Sequence, residues 1–159
     1  MPSETGPLQG VRVVDLTWNL PGPYAAWCLA SLGAMVTKVE PPRGDPARAI
    51  DSLFKRVNQG KGSRVLDLRT PEGLRELEQM VAEADVVLEG FRPGVMERLG
   101  LSPKRALTLN PRLIWCSISA FGQAADNAVD PGHDLNAQAL TGFCDLEQLW
   151  GGRPRPTVL

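Results

Sequence analysis

Residues 11–42, "VRVVDLTWNLPGPYAAWCLASLGAMVTKVEPP", constrain the fold more than any other stretch of the chain. "VRVVDL" is a β-branched run and reads as a strand. The loop "TWNLPGP" follows. Pro23 suits a first helical position, because the N–H it lacks has no intrahelical partner there. "YAAWCLASLG" continues as a helix, and Gly33 stands where a left-handed stop is wanted. "AMVTKVEPP" is a second strand, closed by Pro41 and Pro42. Strand, helix and strand within about thirty residues make a βαβ unit with a right-handed crossover.

The same alternation continues. "RGDPARAIDSLFKRVNQGKGS" is polar and reads as turns, and "RVLDL" (64–68) is a short strand. Thr70-Pro71-Glu72 combines a cap, a proline at the first helical position and an acid in the first turn. Leu74, Leu77, Met80, Val81 and Ala84 then share one helical face. "DVVLEG" is a strand, "RPGVMERLG" a short helix ending at Gly100, and Ser102-Pro103 starts another helix that stops at Asn110-Pro111. "RLIWCSIS" is the last clear strand. Strands alternating with helices predict an α/β fold with a mainly parallel sheet. The closing "PTVL" reads as the beginning of a further element, so the expectation is a fragment and not a complete protein.

Composition narrows the partners. With 17 basic and 18 acidic residues among 159, the net charge is -1, which gives no general drive toward nucleic acid or anionic membranes. No apolar run approaches the roughly 20 residues of a membrane span. Cys28, Cys116 and Cys144 are widely spaced, and His133 is the single histidine. That is a poor basis for a metal site and reads instead as three buried thiols in a reducing cytoplasm.

In open α/β sheets, ligands bind beyond the carboxyl ends of the strands, so the loops after strands hold the candidates. "TWNLPGP" is neither G-x-G-x-x-G nor a Walker loop. Its prolines remove amide donors, and Trp18 and Leu20 are bulky, which argues against a dinucleotide pyrophosphate there. It reads as a rigid turn or as an apolar wall for a ligand. "EGFRPGVMERLG" places Phe91 and Arg92 after a strand, with Arg98 six residues on. An aromatic beside arginines suits an adenine ring with phosphates. On residue types alone, a solvated basic surface is the default. Lys61 and Arg69 admit the same two readings. His133 precedes Asp134, which could cap the helix "LNAQALTG". An imidazole at a helix start is disfavoured as imidazolium and so could accept a proton. On the bare residue, a structural role is the default.

Taken together, "LQGVRVVDLT…LPGPYAAWCLASLGAMVTKVEPPRGDPAR", "NQGKGSRVLDLRTPEG", "ADVVLEGFRPGVMERLGL", "NPRLIWCSISAFGQ" and "GHDLNAQALTG" resemble, in order and spacing, the N-terminal part of the class III CoA-transferase family. That family includes formyl-CoA and carnitine CoA-transferases and α-methylacyl-CoA racemase. "EGFRPGVMERLGL" and "GHDLN" look closer to the racemase branch.

The resemblance implies a Rossmann-like large domain, of which residues 1–159 are a part, acting on an acyl-CoA substrate with no resident cofactor. It implies that His133 exchanges a proton with the acyl α-carbon and that Arg92 and Asp134 belong to the active site. Contacts to CoA are implied for Trp18, Asn19, Leu20, Pro21, Arg69, Gly90, Phe91 and Arg98. Some members carry an arginine where this chain has Pro41, and Arg43 is the nearest candidate to replace it. The family's essential aspartate lies in a Gly-Asp motif expected just beyond "RPRPTVL". Its small domain and C-terminal return also lie beyond this span, and full-length members form interlocked ring dimers. The expectation is half of a racemase or transferase site, inactive alone. The alternatives are a CoA-binding or assembly module that needs a separately encoded partner, and a globular remnant with no ligand.

Overall fold

The computed structural model describes residues 6–124, 126–130 and 132–143. Its contacts divide the chain into two compact units, one through Ile118 and one from Ser119 onward. The first unit is built on a five-stranded parallel sheet: β1 (Arg12–Leu16), β2 (Met35–Glu40), β3 (Gly62–Val65), β4 (Val86–Glu89) and β5 (Ile114–Ser117), in the order β3-β2-β1-β4-β5. The helices α1 (Pro21–Ser31), α2 (Asp51–Asn58), α3 (Pro71–Glu83), α4 (Val95–Leu99) and α5 (Pro103–Leu109) connect the strands. No described helix is long and apolar enough to cross a membrane.

The central strands are buried on both faces, as a parallel sheet requires. Side chains alternate across a strand, and the two apolar clusters follow that period. Val13, Val36 and Leu88 pack with Ala26 and Ala30 of α1. Val14, Leu16, Val39 and Val87 pack with Leu77 and Val81 of α3 and Ala106 of α5. The α1 side buries alanines against the sheet, and the α3 side buries leucine and valine.

Three boundaries differ from the sequence reading. Helix α1 begins at Pro21 rather than Pro23; neither proline needs a helical donor in the first turn, so both are tolerated. Strand β3 ends at Val65, before the expected "LDL". Leu66 nevertheless reaches the core, since a chain leaving a sheet edge can still bury its side chains. The polar stretch after β2 is not all turn. Asp45 caps a 3-10 turn at Pro46–Ala49, and α2 follows. Only Val57 of α2 is buried, too little apolar periodicity to announce a helix. The Thr70 cap, Pro71 and the Ser102 cap stand where expected, as does Gly33 with its φ of 99°.

Cys28 and Cys116 are free and half-buried rather than fully buried. Cys144 and the segment "RPRPTVL" lie outside the described residues.

Candidate functional site

The strand ends decide where a ligand fits. Beyond the carboxyl ends of β1, β2 and β3 lies a cleft of about 330 Å³. Its floor is Leu16, Val39 and Leu66; its sides are Trp18, Pro41, Leu68, Phe91 and Leu99; and Glu40, Arg43, Asp67 and Arg69 supply its polar atoms. Trp18 and Phe91 meet edge to face, with ring centroids 5.5 Å apart and planes at 75°. The Arg43 guanidinium lies 5.7 Å from the Trp18 ring centroid. Arg69 is exposed and pairs with Asp67 through two side-chain hydrogen bonds of 2.9 Å. That pairing holds the Asp67 carboxyl below its usual range and raises the Arg69 guanidinium.

Of the residues expected to touch CoA, Trp18, Phe91 and Arg69 line this cleft together. Asn19 and Leu20, in the same loop as Trp18, and Pro21, at the start of α1, are exposed and are not in the lining of the cleft. Gly90 sits at the end of β4, and an added Cβ would come within 3.7 Å of Thr17. Arg92 and Arg98 are exposed and lie outside the lining, whose arginines are Arg43 and Arg69. Gly94 and Gly100, both with positive φ, bound a helix of only five residues, on which Arg98 is exposed.

Lys61 fits neither reading the sequence left open. Its ammonium is buried and donates to Asp15 Oδ2 at 2.7 Å, Pro23 O at 2.9 Å and Asn58 Oδ1 at 2.9 Å. Burial holds this lysine below its ordinary pKa, although Asp15 pulls the other way. Asp15 also accepts hydrogen bonds from the Thr17 N–H and hydroxyl.

A second buried group lies alongside. Lys38 Nζ stands 2.8 Å from Asp45 Oδ2 and donates to Thr17 O at 2.8 Å. Asp45 Oδ2 meets the ammonium outside hydrogen-bonding angles, so that contact is an ion pair by charge alone. Asp45 Oδ1 accepts from Asn19 N and Ala47 N. Glu40 accepts two bonds from Arg48, at 2.8 and 2.7 Å, and one from Asp45 N. The Arg48 fork is the main cause that lowers the Glu40 pKa.

These charges were missed because single lysines and aspartates in strands look like solvated positions. The available signal was parity: Val13 and Asp15, like Val36, Lys38 and Glu40, face one side of the sheet, so the charges continue a buried apolar row.

The second unit holds His133 and Asp134. His133 is exposed and is itself the N-cap residue of α6 (Asp134–Leu140); its backbone N–H donates to Asn136 Oδ1 at 3.2 Å. Asp134 therefore does not cap this helix as expected. It is one residue inside, where a carboxylate cannot fold back to the first amides, and it accepts from Gln138 Nε2 at 2.6 Å.

A parallel α/β sheet with a cleft of aromatic and arginine side chains beyond its strand ends suits a ligand carrying a flat ring and anionic groups. Comparison with known proteins narrows that class. The sequence matches CoA-transferase family III over residues 8–158, and the chain belongs to that family. It is 42% identical to a probable fatty acyl-CoA transferase of Mycobacterium tuberculosis, over 94% of this chain and 40% of the relative. It is 43% identical to α-methylacyl-CoA racemase of Homo sapiens, over 85% of this chain and 34% of the relative. A crystal structure of the M. tuberculosis protein superimposes with a TM-score of 0.90 at 40% identity, covering 98% of this chain and 44% of that one. A CAIB/BAIF family protein from Brucella suis gives 0.89 at 36% identity, covering 97% and 44%. The chain thus spans about two fifths of the length of these relatives.

Proposed function

We propose that this chain is the CoA-binding portion of an enzyme that acts on acyl-CoA thioesters, with the nucleotide end of CoA in the cleft between Trp18, Phe91, Arg43 and Arg69. One observation carries the reading: an edge-to-face aromatic pair flanked by arginines lies at the carboxyl ends of the strands. Aromatic faces hold a purine, and guanidinium groups hold phosphates. CoA enters as substrate in this reading, so no resident cofactor is invoked.

Within the family the reaction is either racemisation at the acyl α-carbon or transfer of CoA between carboxylic acids. Racemisation needs a base on one face of the α-carbon and an acid on the other. His133 is the residue we assign to one face, with Arg92 and Asp134 as further site residues. The opposite group is assigned to residues outside this span, in the same polypeptide or a second copy, so the span alone is expected not to complete turnover. Transfer needs a carboxylate nucleophile, also outside this span. Relatives of both kinds match at nearly equal identity, and the "GHDLN" segment is what favours racemisation.

Calorimetric titration with CoA tests the site. Phe91→Ala is expected to weaken binding about tenfold through loss of the ring contact. Unchanged affinity places CoA elsewhere. α-Deuterium exchange into a 2-methylacyl-CoA, followed by NMR in D2O, separates the reactions. Exchange that disappears in His133→Ala supports racemisation, and exchange that persists in that variant removes His133 from the chemistry. CoA binding without exchange fits a transferase portion or a binding module that acts with another chain, and removes racemisation.

A further inference from the structure

Trp18 lines the cleft and meets both Phe91 and Arg43, and it sits in a loop whose backbone has to be held in place. The loop joins β1 to α1 and includes Asn19, whose φ of 62° makes it the one non-glycine among the described residues in the left-handed region. Backbone in that region persists only where its surroundings hold it there.

The holding groups are buried. On one side of Trp18, the Thr17 carbonyl accepts a hydrogen bond from Lys38 Nζ at 2.8 Å. On the other, the Asn19 N–H donates to Asp45 Oδ1 at 3.1 Å. Lys38 and Asp45 are themselves 2.8 Å apart, with side chains 2% and 0% exposed. One ion pair therefore grips the chain immediately before and immediately after the indole.

We infer that Asp45 is a positioning residue for ligand binding: with its charge balanced by Lys38, it holds Trp18 edge-on to Phe91 before any ligand arrives. Asp45 also accepts from Ala47 N, so it ties the following 3-10 turn to the same point. Only Gly44 separates it from Arg43, which lies over the Trp18 ring. The geometry of the ring, the cation beside it and the backbone between them is set by one carboxylate. Preorganisation of this kind raises affinity by removing the ordering entropy that binding would otherwise spend. The affinity arm of the test rests on the CoA reading above; the geometry arm does not.

Two variants of the full chain separate a positioning role from a merely structural one. Lys38→Met/Asp45→Asn removes both charges of this pair but keeps an oxygen acceptor for Asn19 N–H. Lys38→Met/Asp45→Leu also removes both charges and takes away that acceptor. The readouts are NOE cross-peaks between the Trp18 indole, assigned with Trp18→Phe, and the Phe91 ring, together with CoA titration. The acceptor-bearing variant is expected to keep the cross-peaks and a Kd within about threefold of the parent, and the acceptor-free one to lose the cross-peaks and bind about tenfold more weakly. If both keep the cross-peaks and differ only in urea midpoint, Asp45 is structural and the inference is overturned. If the parent chain binds no CoA while the cross-peaks still separate the two variants, the positioning of Trp18 stands and the CoA assignment falls.

Discussion

Replacing Lys61 by alanine is expected to be among the most destabilising single changes in this protein. The ammonium is 1% exposed and its partner Asp15 is 0% exposed. Three hydrogen bonds, to Asp15, Pro23 and Asn58, disappear with it. Asp15 would keep its bonds from Thr17 but would become a buried carboxylate without a countercharge. Breaking a buried pair from one side costs about 3–5 kcal/mol, a large share of the roughly 5–15 kcal/mol that holds a domain folded.

With a urea dependence of about 2 kcal/mol per molar, a loss of about 4 kcal/mol lowers the midpoint by about 2 M. Equilibrium urea unfolding followed by circular dichroism measures it. The double variant Asp15→Asn/Lys61→Met removes both charges while keeping the volumes. It should recover at least about half of the loss, because the penalty is an uncompensated charge and not the missing attraction. A midpoint shift under about 0.5 M for Lys61→Ala, or a double variant as unstable as the sum of the singles, refutes the reasoning. The first outcome would also return Lys61 to the solvent-facing role that its sequence context allowed.

Three further outcomes follow from particular contacts. Leu77, fully buried between α3 and the sheet, should cost about 2–5 kcal/mol when cut to alanine, read from the same unfolding curves. Gly22→Ala should disturb the first turn of α1, because its Cβ would overlap the buried Thr17 side chain; a parent-like urea midpoint and parent-like Trp18–Phe91 cross-peaks would show that the turn can move aside. Glu40 has its pKa lowered by Arg48 from an ordinary value near 4.5. Its contribution is therefore fully present above that value and is lost as pH falls through the lower, folded-state value. Urea midpoints measured from neutral pH to pH 3 should decline less steeply below pH 4.5 for Glu40→Gln than for the parent, and equal slopes would remove Glu40 as a source of acid sensitivity.

What the sequence by itself determined is the framework. β-Branched runs, proline at helix starts and glycine at helix ends act within a few residues, so they can be read without knowing the fold. They place the five strands, the Thr70 and Ser102 caps and the Gly33 stop, and with them an α/β protein with a parallel sheet. The same local signals point to the loops after the strands, and so to Trp18 and Phe91.

What only the tertiary structure decided concerns charges and neighbours. Lys61 reads as a surface cation until Asp15, 46 positions away, is seen to face it inside the protein. Asp45 reads as a turn residue until Lys38 and the Asn19 amide converge on it. Arg43 and Arg69 line the cleft and Arg98 does not, because α4 gives the protein Met96 and Leu99 and leaves Arg98 exposed. His133 takes the cap position that Asp134 was expected to fill, a difference of one residue that follows from where the helix begins. Each of these depends on which distant groups share a space and whether water reaches them, and neither is carried by the local sequence.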